Sequence, residues 1–173
     1  MKDETIHQIF ENALKDPELF STIDIERLLD SIENEKNEYL DEKTMEDITK
    51  DIYEIINEVF YEDEKEEICN KLVGYRYVDL LHELHKGKHI RWIRHNKNNK
   101  NDNNQKNVIG PKLTNGGIVT DIKFLDNGTH ILCKNLIGRF IQYKFDDCYT
   151  FQKLSVDEQL ILMAYEHIST KKP

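Results

Sequence analysis

The chain has no apolar run near the 18 or more residues that a membrane-spanning helix needs, so no span is expected. Its first residues, Met1-Lys2-Asp3-Glu4, are acidic and carry no apolar stretch, which argues against a secretory signal. Cysteine is sparse. Cys69, Cys133 and Cys148 are odd in number and far apart, which excludes a disulfide framework and fits free thiols in a reducing compartment. A cytoplasmic location is the expectation. Catalytic signatures are missing too. There is no Gly-rich phosphate loop followed by Lys-Ser/Thr, no His-Glu-x-x-His and no nucleophile elbow. The expectation is therefore a chain that is not an enzyme and uses no cofactor or small-molecule substrate.

What is there is charge, unevenly placed. The 173 residues have a formal charge of −9. Residues 1–86 hold 10 Lys+Arg against 25 Asp+Glu, a net of −15, and residues 87–173 hold 14 against 8, a net of +6. Folding does not need such a split, but partners feel it, because a basic face attracts polyanions.

The apolar pattern changes at the same place. Before Gly87 it recurs every three or four residues and predicts helices at about 3–15, 24–38, 44–60, 62–73 and 77–86. Asp16-Pro17 reads as a stop and restart, and Gly74 as a helix end. Beyond Gly87 the pattern alternates. Strands are expected over 88–94, 117–125, 129–134, 139–145 and 149–153. Ile118, Ile122 and Phe124 should share one face of the second strand. Asp126-Asn127-Gly128 is a hairpin turn, since Asn-Gly tolerates positive φ. The stretch 96–108, nearly all Asn, Lys, Asp and Gln, has almost nothing to bury and reads as a disordered loop. Ser155-Val156-Asp157-Glu158 fits a capping box opening a last helix at about 156–168.

These elements predict an α+β fold. An acidic helical region (1–86) precedes a five-stranded antiparallel small barrel (87–154), and a C-terminal helix (155–173) packs on the barrel.

Candidate chemistry is thin. His82, His85 and His89 lie close in sequence, but Gly87 should break the helix and no cysteine is near, so no metal site is expected. Asp146 and Asp147 are adjacent and should point apart in a turn. Cys133 alternates with Ile131 and reads as a small core residue. Arg91, Arg94, Lys97, Lys100, Lys106 and Lys112 follow one strand and loop and could track phosphates, so nucleic acid is the alternative partner. A protein partner, held by the barrel and its flanking helices, is the leading one. Trp92, Phe140, Tyr143 and Tyr149 could line a cleft for a peptide, although Trp92 also reads as buried against Ile118 or Phe145.

The stretch Gly87-Lys88-His89-Ile90-Arg91-Trp92-Ile93, then Leu113-Thr114-Asn115-Gly116-Gly117-Ile118-Val119, resembles the first two strands of Tudor-like small barrels. The order is similar as well: entry strand, long loop, two hairpins and a short last strand. The Gly-Gly start and the closing Phe151-Gln152-Lys153-Leu154 look like barrel-containing proteins of large DNA viruses. The resemblance implies an interaction role, and a host-cytoplasm or virion location.

Overall fold

The structure, a computed structural model, describes residues 24–95 and 110–170 together with Lys15. The predicted helix at 3–15 lies outside these residues apart from Lys15, and so do Asp16-Pro17, the 96–108 loop, Lys97, Lys100 and Lys106. The described residues form an α+β fold that divides into two compact units. One comprises 1–50 with 154–173, and the other comprises 51–153.

In the first unit, α1 (Ile25–Glu33) starts at Asp24, whose carboxylate accepts from the Arg27 N–H at 3.1 Å. The sequence predicts one helix to residue 38, but α1 ends at Asn34. The Asn34 backbone is extended and its side chain accepts from the Lys36 N–H, starting a separate 3₁₀ helix (Glu35–Leu40). Helix α2 (Met45–Val59) then leads out of this unit, the boundary falling between Lys50 and Asp51.

The chain returns to the first unit as α4 (Val156–Thr170), which packs with α1 and the 3₁₀ helix. The expected capping box is present. The Ser155 hydroxyl accepts from the Glu158 N–H at 3.1 Å, and the Glu158 carboxylate accepts from the Ser155 N–H at 2.6 Å. That carboxylate is buried and also accepts from the Tyr39 hydroxyl.

The second unit continues with α3 (Glu62–Lys71) and six strands: β1 (Tyr75–Val78), β2 (His89–Arg94), β3 (Gly117–Leu125), β4 (Gly128–Lys134), β5 (Phe140–Lys144) and β6 (Cys148–Lys153). They form one antiparallel sheet in the order β1-β6-β2-β3-β4-β5. The expected five-stranded closed barrel is thus corrected to an open six-stranded sheet with β1 and β5 at its edges.

The extra strand comes from the predicted fifth helix, 77–86. Tyr75-Arg76-Tyr77-Val78 alternates half-buried and buried and pairs with β6. The Leu80-to-Leu84 stretch that mimicked a helix is only a 3₁₀ turn (Leu81–Glu83). Two polar groups at its end are met from the sheet. Arg76, 1% exposed, donates to the Glu83 carbonyl at 2.5 Å, and the Gln152 side chain accepts from the His85 N–H at 2.7 Å.

The sheet is open but strongly curled. Register shifts between Val119 and Asp121, leaving Thr120 as the extra residue of a bulge. The shift also corrects the expected face of β3. Val119 and Ile122 point into the core, while Ile118 stands exposed on the other side. Gly116 assists the close approach of β3 to β2. Its φ is +75°, and a Cβ there would sit 1.8 Å from the Ile90 carbonyl oxygen. Curling gathers Val78, Leu84, Ile90, Trp92, Val119, Ile131, Cys133, Tyr143 and Cys148 into one core. Each large apolar side chain buried there contributes about 1.5–3 kcal/mol.

Candidate interaction surface

The β4–β5 turn is built around Asn135. Its N–H donates to the Arg139 carbonyl at 2.9 Å, its side-chain oxygen accepts from the Arg139 N–H at 2.8 Å, and its carbonyl accepts from the Gly138 N–H at 3.0 Å. Gly138 supplies the positive φ of 79° that closes the loop. This fixed turn holds two apolar residues away from the core: Leu136 is 92% exposed and Ile137 73%.

Next to them, Ile118, Lys134 and Phe140 pair across β3, β4 and β5 and therefore share one face. Phe140 is 63% exposed, and the Lys134 ammonium lies over its ring, 6.0 Å from the centroid. Leu136, Ile137, Phe140 and Ile118 together leave apolar surface in water, where full burial of such a side chain is worth about 1.5–3 kcal/mol.

The residues singled out in the sequence fall in different places. Trp92 and Tyr143 meet, but inside. They are 4% and 3% exposed and stack on each other in the core. Burial pushes the Tyr143 phenol far above its ordinary pKa, and its hydroxyl pairs with the Thr150 hydroxyl at 2.9 Å. Trp92 is thus buried as one reading expected, with Tyr143 rather than Ile118 as its ring neighbour.

Tyr149 lies on the opposite face of β6 from Thr150. It is half-buried, with its ring 6.4 Å from Tyr77 and 4.2 Å from His95. Phe140 alone of the four aromatics stands largely in solvent. Arg91 is turned to the C-terminal end of α3, donating to the Lys71 carbonyl at 3.0 Å, with its guanidinium 6.0 Å over the Tyr75 ring. Arg94 and Lys112 are exposed and lie on the same side of the antiparallel Ile93–Leu113 bridge, and Lys97 lies outside the described residues.

Other chemistry is quiet. His89 pairs with the Tyr75 hydroxyl at 3.0 Å and His85 faces Gln152. Among the described residues no three His, Cys, Asp or Glu stand where they could share a metal ion. Asp146 and Asp147 lie in a 3₁₀ turn (Phe145–Asp147). Burial pushes the thiol of Cys133 up to about 12 and that of Cys148 up to about 11, so both stay protonated. Among the described residues no helix is long and apolar enough to cross a membrane.

Sequence reasoning missed Leu136, Ile137 and Ile118. Two large apolar residues just before Gly138, between the strands expected at 129–134 and 139–145, were the available signal. No family model, curated protein or solved structure matches the chain.

Proposed function

We propose that this chain is a non-enzymatic interaction module that holds a protein partner, with its contact surface at the β4–β5 turn of the sheet. One observation carries the reading: a hydrogen-bonded turn presents Leu136 and Ile137 to solvent beside Phe140. A turn needed only to reverse the chain would take polar residues at its tip. Rigid apolar side chains standing clear of the core are instead what a partner's surface covers.

The test is a crosslinking comparison between the intact chain and the triple variant Leu136→Ser, Ile137→Ser, Phe140→Ser. The three side chains are largely exposed, so each substitution should change the unfolding free energy from urea titration by no more than about 0.5 kcal/mol. Proteins crosslinked to the intact chain should be missing from the variant. An unchanged set of crosslinked proteins would refute the reading.

A further inference from the structure

We infer that the partner binds by adding a strand to the free edge of β5, and that its docking segment is extended, with an apolar and an acidic residue four positions apart on one face. The inference rests on the reading of the β4–β5 turn as the contact surface.

β5 pairs with β4 only, and among the described residues no strand lies on its other side. The Asn135 N–H bonds the Arg139 carbonyl, which sets the alternation of the ladder. Cys133 with Ile141 and Ile131 with Tyr143 then exchange backbone bonds, and the N–H and C=O groups of Phe140, Gln142 and Lys144 face outward. An edge of this kind accepts an extended peptide through main-chain bonds, and alternate side chains read it.

The rows of the sheet say which side chains would be read. An added strand extends the row Ile118–Lys134–Phe140 at one end and the row Lys123–His130–Lys144 at the other, with Asp121–Leu132–Gln142 between. The first row sets Ile118 and Phe140 on either side of Lys134, whose ammonium lies over the Phe140 ring, and with the exposed Leu136 and Ile137 beside it selects an apolar residue. The last carries Lys123 and Lys144 and selects an acid. Asp121, in the middle row, is paired with Lys86 at 2.8 Å. Lys134, Arg139 and Lys144 form no ion pair among the described residues, which leaves cations at both ends of β5, with the Asp146 carboxylate on the same side of Gly128 as Lys144.

Lysine on an edge strand can also serve to keep other chains off. That role calls for a polar neighbourhood, whereas here the lysines frame exposed Phe140, Leu136 and Ile137. The other edge, β1, is a poorer acceptor, because its four side chains are all buried or half-buried.

The probe is a nine-residue threonine-rich peptide carrying Val and Glu four positions apart, made in both orders. Its controls replace Glu with Lys or N-methylate alternate amides. Binding is followed by amide chemical-shift titration of the full chain at low salt. The expected result is saturable shifts at Phe140, Gln142 and Lys144. Affinity should fall about tenfold with either control peptide, the equivalent of one lost charge contact or hydrogen bond. Gln142→Pro removes an outward N–H together with the side-chain contact to His130 and should weaken binding, whereas Gln142→Ala, which loses the side chain alone, should not. Lys144→Glu should weaken binding without touching the backbone and should prefer the Lys peptide.

No shifts with millimolar peptide in either order, or equal binding of the N-methylated control, would overturn strand addition. So would sedimentation showing that β5 is occupied by a second copy of the chain. If the triple Ser variant still loses its crosslinked partner, the module reading survives that failure. If the variant keeps it, the reading fails first.

Discussion

The indole of Trp92 and the phenol ring of Tyr143 lie face to face, 4.3 Å between centroids and 12° from parallel, although β3 and β4 separate their strands in the sheet. The contact ties β5 across the curl to β2, and the Tyr143–Thr150 hydroxyl pair ties it to β6. Tyr143→Phe should keep the stacking but lose the hydrogen bond, at about 1–3 kcal/mol for the unsatisfied Thr150 hydroxyl. Tyr143→Ala should cost about 3–5 kcal/mol. The fluorescence of Trp92, the only tryptophan, reports both, since it shifts to the red on unfolding. Equal midpoints for wild type and Tyr143→Ala would contradict the packing described.

At the start of α4 the buried Glu158 carboxylate serves both the Ser155 N–H and the Tyr39 hydroxyl. Ser155→Ala should cost about 1 kcal/mol as a lost cap. Glu158→Ala leaves two donors without their acceptor and should cost more, about 1–3 kcal/mol for each donor that stays buried. Thermal melts followed by circular dichroism at the helical band rank the two variants. A milder loss for Glu158→Ala than for Ser155→Ala would show that the box does not work as drawn.

His89 carries a pH dependence. Burial, then the charges of Arg91 and Lys153, hold its pKa below the ordinary histidine value. The folded chain therefore gives up this proton more readily than the unfolded chain. The stabilisation is complete above pH 6.5 and is lost as pH falls through the lowered native value. Urea midpoints should drop between pH 7.5 and pH 5 in the wild type and drop less in His89→Gln. Parallel pH profiles for the two proteins would remove His89 from the account.

The three cysteines should separate by reactivity. Cys133 and Cys148 are buried with raised pKa values, and Cys69 is half-buried with a smaller upward push from burial. At pH 8 iodoacetamide should label Cys69 first and slowly, and reach Cys133 and Cys148 only in urea. Peptide mapping by mass gives the order. Prompt labelling of Cys133 in the native protein would place that thiol outside the core.

Much of the fold was legible because two periodicities are strong in this chain. The 3.6-residue spacing of Ile48, Ile52, Ile55 and Ile56 marks α2, and alternation with Asp126-Asn127-Gly128 marks the β3–β4 hairpin. The Ser155–Glu158 box was readable because both of its bonds are local. Long-range effects were not readable. β1 has only four residues, and its buried Arg76 is tolerated because it reaches the Glu83 carbonyl, a contact no spacing announces. The bulge after Val119 reverses which residues of β3 face inward, so Ile118 looked like core. The four aromatics offered as a cleft, Trp92, Phe140, Tyr143 and Tyr149, do not stand together on one surface. Nothing in alternation alone says that a curled sheet will swallow Trp92 and Tyr143 and leave Phe140 outside.

The unit joining α1 to α4 draws its chain from two distant places, with residues 51–153 lying between them. During synthesis from the amino end, Leu28 and Ile32 emerge long before Ile161 and Leu162 have been made. Uniting the two segments closes a loop of about a hundred residues, an entropic cost of about 4 kcal/mol if that loop is still unfolded. Once the intervening sheet has formed, most of that cost has already been met. Folding of residues 51–153 before the two outer segments meet is therefore the cheaper order. α1 is the newborn segment left longest without its mate, and it is where a chaperone or a mistaken neighbour would first take hold.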